Sequence, residues 1–283
     1  MSSQNITNDV ANRLAQPTAI ERRMSENAAY RKACRRELYE LMSLIEEVVF
    51  PAFFGELPLE EAVGRIRKIV RHQVTEIRLG DDEAIANVAD RFIERLPDIK
   101  SAVLEDVEAV AKIDPAVTDI SEIIVSYPAV KAMLHYRTAN TFVRLNVPII
   151  PRIITEMAHS ATGIDIHPAA TIGRRFAIDH GTGIVIGATT IVGDNVTLYQ
   201  GVTLGAKNFT YGDDGLPLDI PRHPIIEDNV TIYSNASILG RVRIGHDAVI
   251  GGNIWITTDV APYSKVSQHR PDSIPSFSDG AGI

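Results

Sequence analysis

An aliphatic residue returns at every sixth position over most of the stretch 166–260. One unbroken series of isoleucines follows two shorter aliphatic series: Ile166, Ile172 and Ile178; Ile186, Val192, Leu198 and Leu204; then Ile226, Ile232, Ile238, Ile244, Ile250 and Ile256. A period of six fits neither an α-helix nor an amphipathic strand, but it is typical of the hexapeptide β-helix. In such a solenoid three hexapeptides form a triangular coil. The aliphatic residue fills the interior, and the next residue, often Gly, allows the corner.

Two interruptions break the six-residue count. The first is an eight-residue step that ends at Ile186, and the second is the stretch 207–225. Because the coils on either side stay in phase, the extra residues must loop out of the solenoid, and such insertions often form its binding site. Both carry titratable side chains, which are Asp179 and His180 in the first and Arg222 and His223 in the second. We therefore expect chemistry at these two loops.

The part of the chain before the repeat is predicted to form an α-helical domain. Apolar residues recur at three- and four-residue steps from Leu59 to Ile77, where Gly80 would stop a helix. Further helices are predicted over 83–96, ended by Pro97, and over 99–112, 128–145 and 151–160. The predicted fold class is thus α+β, with a helical domain at 1–160, a β-helix domain at 161–262 that carries a protruding loop at 207–225, and a polar tail at 263–283. Residues 1–28 lack periodicity and are predicted to form a flexible arm.

Charge and cysteine content limit the classes of partner and compartment. A net charge of −8 disfavours nucleic acid or an anionic membrane as the main partner, so an anionic ligand must be met locally. Cys34 is the single cysteine, which excludes an intrachain disulfide or a Cys-rich zinc site and favours a reducing compartment. The first residues lack the apolar centre of a secretory signal, and no run approaches the ~20 apolar residues of a membrane span. A cytoplasmic protein is expected.

The spacing of two residues suggests a general base. His180 lies 15 residues after Asp165, close to one coil of about 18, so the two could be neighbours on adjacent turns. A histidine that is oriented by a carboxylate can remove the proton of a hydroxyl nucleophile. A capping or hydrogen-bonding role for either loop remains the alternative at this point.

Four runs, in this order, carry a resemblance to the serine O-acetyltransferases. They are Asp165-Ile166-His167-Pro168-Ala169-Ala170-Thr171-Ile172-Gly173, then Asp179-His180-Gly181-Thr182-Gly183-Ile184-Val185-Ile186-Gly187, then Gln200-Gly201-Val202-Thr203-Leu204-Gly205, and Arg222-His223-Pro224. Asp114-Pro115-Ala116 matches a further family segment. The resemblance covers about 110–283, and it departs from the family's pattern in a longer 207–221 segment and in the bulky Tyr233.

This resemblance implies a left-handed parallel β-helix that transfers acetyl from acetyl-CoA to the L-serine hydroxyl, giving O-acetyl-L-serine for cysteine biosynthesis. His180 would be the base and Asp165 its orienting carboxylate. Asp114 and Asp179 would hold the serine ammonium, and Arg222 and His223 its carboxylate. The matching acetyl-CoA contacts are Gly205, Ala206, Ser234 and Asn235, in a groove between neighbouring subunits of a homotrimer or a dimer of trimers. No metal is expected.

The resemblance also implies two regulatory partners. L-cysteine would inhibit, since it shares serine's ammonium and carboxylate, and the terminal Ile283 could insert into O-acetylserine sulfhydrylase. Three rival functions are open: acetylation of a sugar or another hydroxyl acceptor, a zinc hydratase on the same solenoid, and a non-catalytic scaffold. The hydratase needs three His at metal spacing, commonly including a pair five apart, and the histidines of the repeat region show no such pair.

Overall fold

The structure is a computed structural model that describes residues 3–24, 33–77, 80–213 and 215–268. In these ranges ten helices precede fourteen short strands. The helices are α1 (Ser3–Leu14), α2 (Ala19–Met24), α3 (Arg35–Val49), α4 (Pro51–Phe54), α5 (Leu59–Glu76), α6 (Asp82–Glu94), α7 (Leu96–Ile113), α8 (Ile120–Ser126), α9 (Pro128–Arg144) and α10 (Ile150–Thr162).

The predicted helices of the first half are present, with three differences. Pro97 does not end the helix predicted over 83–96, because α6 already ends at Glu94 and the proline lies in the first turn of α7. Helix α8 was not predicted, since so short a helix shows no clear period. Within the predicted arm 1–28 the structure has α1 and α2, whose described side chains are exposed to solvent.

The strands form a solenoid of about five coils, as the six-residue period predicts. They are β1 (Asp165–Ile166), β2 (Thr171–Ile172), β3 (Ala177–Asp179), β4 (Val185–Ile186), β5 (Ile191–Val192), β6 (Thr197–Tyr199), β7 (Thr203–Gly205), β8 (Ile225–Ile226), β9 (Thr231–Ile232), β10 (Ser237–Leu239), β11 (Arg243–Ile244), β12 (Val249–Ile250), β13 (Trp255–Ile256) and β14 (Lys265–Val266).

Every third strand joins the same parallel sheet, so the coil has three faces. The first sheet has the order β1-β4-β7-β10-β13, the second β11-β8-β5-β2 and the third β14-β12-β9-β6-β3. All the aliphatic residues of the six-residue series are buried inside the coils. They stack on one another from coil to coil, which is how a solenoid builds a continuous core.

Strand register shows where the extra residues leave the solenoid. Asp165 pairs with Val185, so the first coil is longer than the regular coil that runs from Ile225 to its partner Arg243. Ile191 pairs directly with Ile225, because the loop between β7 and β8 is excluded from the coil. Both interruptions therefore bulge outward at coil corners without disturbing the stack.

The corner glycines are needed for close packing between coils. A Cβ on Gly173 would lie 2.5 Å from the carbonyl oxygen of Gly193 in the next coil. The left-handed turn itself comes two residues after such glycines, at Arg175 and Asn195. Asparagine tolerates this conformation better than most residues, so the corner chemistry differs from the simple expectation that glycine makes the bend.

Helix α9 joins the helical half to the solenoid. The Tyr136 hydroxyl donates to the carbonyl oxygen of Ala170 (2.7 Å), and Asn140 Nδ2 donates to that of Pro168 (2.9 Å). Arg137 is bonded on one side to Asp106 of α7 and on the other to the carbonyl oxygen of Gly173. These contacts fix the first coil, which carries His180, relative to α7, which ends beside Asp114.

Candidate active site

The first interruption presents His180 to solvent at the corner between the third and first sheets. Strand β3 ends at Asp179, and the two following residues adopt positive φ, 56° at His180 and 86° at Gly181. The His180 side chain is 72% exposed, and its Nε2 lies 3.7 Å from Oδ1 of the largely buried Asp179. A left-handed non-glycine residue is uncommon. The inserted turn thus holds an imidazole outside the coil beside a carboxylate.

Asp114 reaches the same corner from the end of helix α7. Its Oδ2 accepts a hydrogen bond from the Tyr127 hydroxyl (2.6 Å), and its Oδ1 accepts one from the Ala116 N–H (2.8 Å). These bonds, with a smaller contribution from the charge of His180, lower the pKa of Asp114. The bond to Asp114 in turn raises the pKa of Tyr127 to about 12. Asp114 is therefore an oriented anion near Asp179 and His180.

Two stacked tyrosines extend this corner along the solenoid. Tyr199 lies opposite Asp179 in the strand register, and its ring stacks on that of Tyr233 with centroids 4.8 Å apart. Burial, followed by the charge of Asp179, raises the pKa of Tyr199. Neither Tyr127 nor Tyr199 was predicted as a site residue, because their roles depend on contacts that only the coil register creates.

The second interruption places His223 at the opposite end of the first sheet. Its Nδ1 accepts a hydrogen bond from the Thr189 backbone N–H (3.2 Å) and lies 2.8 Å from the Thr189 hydroxyl. Since an N–H can only donate, Nδ1 carries no proton and the neutral ring has its proton on Nε2. Burial first, and then the charge of Arg222, lowers the pKa of His223 to about 4. The imidazole is neutral at physiological pH.

Thr189 is the residue that builds this corner. Its hydroxyl oxygen accepts the backbone N–H groups of Arg222 (2.9 Å) and His223 (3.1 Å), and its carbonyl oxygen accepts Nη1 of Arg241 (2.7 Å). Gly187 makes room for the imidazole, because a Cβ there would overlap the His223 ring. The end of the 206–224 loop is therefore anchored to the preceding coil.

The Arg222 guanidinium keeps unused hydrogen-bond donors. Its Nε is buried and has no hydrogen-bond partner within the described part of the chain. Nη1 makes a long bond to the Ile220 carbonyl oxygen (3.4 Å) and lies 4.0 Å from the fully exposed Asp219. The ring of Phe209 lies against the guanidinium, with its centroid 5.8 Å from Cζ. A held cation with free donors suits an incoming carboxylate.

Asp165 and His180 are not paired in the strand register of one chain. The first coil is longer than a regular one, so the register partner of Asp165 is Val185, and the simple coil arithmetic does not apply. Its carboxylate lies 3.7 Å from Nη1 of Arg152 on α10. Over the described ranges, no hydrogen bond or ion pair joins Asp165 to His180. Burial, followed by the charge of Arg152, lowers the pKa of the nearby His167, and the charge of Asp165 opposes this shift.

The predicted site residues thus fall into two groups on one chain. The acidic corner consists of Asp114, Asp179 and His180, and the basic corner consists of Arg222 and His223. Asp165 lies on the face between them, opposite Val185. One face of the coil separates the two corners. At ~3.3 Å per residue its six residues span roughly 20 Å. A molecule the size of an amino acid cannot touch both corners of the same chain.

The predicted acetyl-CoA contacts flank the strand pair β7 and β10. Ser234 and Asn235 form the turn before β10, and the left-handed Asn235 donates its backbone N–H to the Gln200 carbonyl oxygen (2.9 Å). At the other end, Gly205 lies opposite Leu239, and the long loop begins with Ala206. No hydrogen bond from the Ala206 backbone N–H occurs among the residues that the structure covers.

One group of side chains in the described ranges has the spacing of metal ligands, namely Glu156, His159 and Asp165. Arg152 pairs with two of its members, with Nη2 2.5 Å from Glu156 Oε1. The positive charge already there makes this a poor site for a divalent cation. Ile283 and the tail beyond residue 268 lie outside the described residues. No described helix has the length and apolarity to cross a bilayer.

Sequence and structure comparisons relate this chain to known proteins. The plasmid serine acetyltransferase of Synechococcus elongatus is 38% identical over 273 residues, which cover 88% of this chain and 85% of that protein. The crystal structure of Entamoeba histolytica serine acetyltransferase 1 with L-cysteine is 31% identical, with a TM-score of 0.74, and covers 86% of this chain and 99% of that one.

A further crystal structure, Neisseria gonorrhoeae serine acetyltransferase with serine, is 27% identical, with a TM-score of 0.57, over 81% of this chain and 95% of that one. No family model matches the chain. These solved structures confirm the predicted fold, a helical region followed by a left-handed parallel β-helix.

Proposed function

The chain belongs to the serine acetyltransferase family, whose members are acetyl-transferring enzymes, and we propose that its active site forms where the acidic corner of one subunit meets the basic corner of another. The observation that carries this proposal is the separation of complementary charges on one chain. L-serine is a zwitterion, so its ammonium needs carboxylates and its carboxylate needs a cation. The two sets lie at opposite ends of one solenoid face.

At the acidic corner, Asp114 and Asp179 bind the serine ammonium. Tyr127 holds the Asp114 carboxylate in place through its 2.6 Å hydrogen bond. At the basic corner, Arg222 takes the serine carboxylate through its free guanidinium donors, and the neutral His223 donates from Nε2. A guanidinium binds a carboxylate through two parallel hydrogen bonds, which also fixes the orientation of the substrate.

His180 removes the proton of the serine hydroxyl. Its ring is exposed at the corner and stands beside the ammonium-binding carboxylates, so it is within reach of the substrate side chain. We propose that the Asp165 carboxylate orients this imidazole. A carboxylate in that role stabilises the imidazolium that forms as the oxygen attacks.

Acetyl-CoA, the co-substrate that the family implies, supplies the thioester carbonyl. Gly205, Ala206, Ser234 and Asn235 are proposed to hold it along the strand pair β7 and β10. The Ala206 N–H has no partner among the described residues, so it is available to the oxygen that gains negative charge during attack. A fixed N–H donor there stabilises the transition state without a charged side chain.

The test is a kinetic assay that follows release of free CoA thiol from acetyl-CoA with L-serine. His180→Ala is expected to lower turnover by ~10²–10⁴-fold, the usual contribution of a general base. His72→Ala is the matched control, because His72 lies on α5, where it pairs with Glu37. Circular dichroism confirms that both variants fold. Full activity of His180→Ala would refute the assignment of the base.

An acceptor comparison separates L-serine from the alternative, a sugar or another hydroxyl compound. Arg222 with two carboxylates favours an amino acid, since a neutral sugar uses neither charge. We expect turnover with L-serine and none with glucose or glycerol at equal concentration. Arg222→Gln should raise the KM for serine, and an unchanged KM would argue against an amino acid acceptor.

Four further properties are proposed. The subunits form a trimer or a pair of trimers. L-cysteine competes with serine, since it shares the ammonium and carboxylate, and inhibition that serine does not relieve would contradict this. Ile283 docks O-acetylserine sulfhydrylase, and deletion of the last few residues should abolish co-elution of the two proteins. The lone Cys34 supports a reducing, cytoplasmic location.

A further inference from the structure

A second candidate site lies where the helical half meets the first coil, away from both corners. It is an open cavity of about 300 Å³ between α6, α7, α9 and the turn at Gly173 and Arg174. This volume is at the lower end of the range for small-molecule sites, about 300–1,000 Å³. None of the residues to which we assign a role in acetyl transfer lines the cavity.

Arginines dominate the lining. Five arginines and a single acid face the cavity: Arg91, Arg95, Arg137, Arg144, Arg174 and Asp98. Such a concentration of positive charge is unexpected in a chain of net charge −8. Such a cluster attracts anions, and internal carboxylates neutralise only part of it.

Two of the five are neutralised by buried or half-buried carboxylates. Arg137 donates to both oxygens of Asp106, from Nε (2.7 Å) and Nη2 (2.8 Å). Arg174 donates to both oxygens of Glu105, with Nε 2.8 Å from Oε2. These pairs hold the walls of the cavity in place. They also leave Nη1 of Arg174 without a partner among the described residues.

The remaining three arginines carry more charge than the one remaining acid can balance. Arg95 pairs with Asp98 at 3.1 Å, and both side chains are more than half exposed. Nε of Arg144 donates to the amide oxygen of Asn140 (3.0 Å), a neutral partner. Arg91 makes no hydrogen bond or ion pair within the ranges that the structure covers. Two positive charges are therefore left over.

We propose that this cavity binds a small phosphate monoester through its dianionic phosphoryl group. Two surplus guanidinium groups match two negative charges, and the guanidinium fork fits phosphate oxygens. The cavity is larger than a phosphate group requires. Its wall between the arginines is apolar, formed by Ile99, Ala102 and Leu145, and this wall takes the organic part of the ester.

A ligand there would join three parts of the fold. Arg91 lies on α6, Arg144 on α9, and Arg174 on the solenoid corner. A compound that binds the native state alone raises its stability in proportion to the logarithm of ligand concentration over Kd. Binding is therefore measurable as an increase in Tm, with no reference to acetyl transfer.

Two measurements on the full-length protein test this proposal: isothermal titration calorimetry and thermal unfolding. Each is carried out with ribose 5-phosphate, with inorganic phosphate and with ribose, at matched ionic strength. We expect ribose 5-phosphate to bind and to raise Tm, inorganic phosphate to bind more weakly, and ribose not to bind. The Arg91→Gln/Arg144→Gln double variant should bind ribose 5-phosphate at least about tenfold more weakly than the wild type. Arg71 is an exposed arginine of α5 outside the cavity, so Arg71→Gln should leave the affinity for ribose 5-phosphate unchanged.

Both altered arginines are exposed and lack carboxylate partners among the described residues, so the double variant should have the wild-type Tm without ligand. Equal affinity of the double variant and wild type would place the anion elsewhere and overturn the proposal. No binding of ribose 5-phosphate to the wild type at millimolar concentration would also overturn it. Equal affinity for inorganic phosphate would refute the ester assignment.

Discussion

The hydrogen bond from Tyr127 to Asp114 is a positioning contact that can be removed without other change. In Tyr127→Phe the Asp114 carboxylate loses the bond that most lowers its pKa. We expect the KM for serine to rise about tenfold, since a hydrogen bond to a charged group contributes about 1.5 kcal/mol or more, with a smaller change in kcat. The acid limb of kcat/KM should move to higher pH, because Asp114 protonates earlier as pH falls.

Tyr39→Phe is the matched control for that change. Tyr39 is exposed on α3 and has no side-chain hydrogen bond within the described ranges. Its KM and pH profile should equal those of the wild type. If Tyr127→Phe also leaves both unchanged, Asp114 is not the ammonium partner that we propose.

Two adjacent threonines allow an equally direct test of the basic corner. Thr189→Val removes the acceptor of two part-buried backbone N–H groups and one partner of His223, a loss of about 1 kcal/mol or more. We expect lower stability and a higher KM for serine. Thr190→Val is the control, because the Thr190 hydroxyl is buried with no partner among the described residues. In urea unfolding, Thr190→Val should leave the free energy of unfolding unchanged or raise it. An equal loss of stability in both variants would contradict the role of Thr189.

The neutral state of His223 predicts a direction for the dependence of stability on pH. The folded pKa is about 4, below the ordinary value of 6.5. Between these two pH values His223 binds a proton in the unfolded chain but not in the folded chain. The free energy of unfolding therefore falls as pH decreases from 6.5 to 4. His223→Gln should show a smaller decrease in unfolding free energy between pH 7 and pH 5. The same decrease in both proteins would show that His223 is not the group responsible.

At the scale of secondary-structure elements, glycines in the two halves of the chain should respond in opposite ways to alanine. Gly187→Ala places a methyl group into the His223 ring, so the loop end must shift, with lower stability and weaker serine binding. Gly64 lies inside α5, and a Cβ there meets nothing within 4 Å. Gly64→Ala should stabilise the protein by about 0.5–1 kcal/mol. Thermal unfolding measures the stability of each variant, and the KM for serine measures the effect on binding. A Gly187→Ala variant with wild-type stability and KM would contradict the packing described.

The repeat and the longer helices were predictable from sequence, because burial imposes a period on each. The six-residue series identifies the buried position of each strand, and α9 follows from the apolar face after Pro128. Coil length was not predictable at the first interruption. Whether residues 179–183 lengthen the corner or shift the strand depends on the register, which sets Asp165 opposite Val185.

The contacts that shape the two corners could not be predicted from the sequence either. Thr189 and His223 are far apart in the chain, and they meet because the long loop leaves the coil between them. Tyr127 reaches Asp114 because the short helix α8 turns the chain back. A single threonine or tyrosine carries no pattern that marks such a contact, whereas the charged residues of the family motifs do.

For the whole molecule, the separation of the two corners predicts that one chain cannot complete an active site. A head-to-tail contact repeated around a closed ring would pair the acidic corner of each subunit with the basic corner of the next. Every subunit would then contribute to two sites, and each site would contain residues from two chains. A site within one chain would instead require a rearrangement across a solenoid face of roughly 20 Å.

Mixed oligomers decide between these arrangements. His180→Ala and Arg222→Ala should each be almost inactive alone. When both are co-expressed in equal amounts under two affinity tags, an interface that pairs the intact corners of the two variants is complete. In the unselected mixture, random assembly of a closed ring completes about a quarter of the interfaces, so about a quarter of wild-type activity should return. If only oligomers that carry both tags are purified, a trimer has one complete interface of three, and about a third should return. If His180 and Arg222 served a site in the same chain, no mixture would recover activity. The baseline is measured by mixing the two separately purified variants under conditions in which they do not exchange subunits.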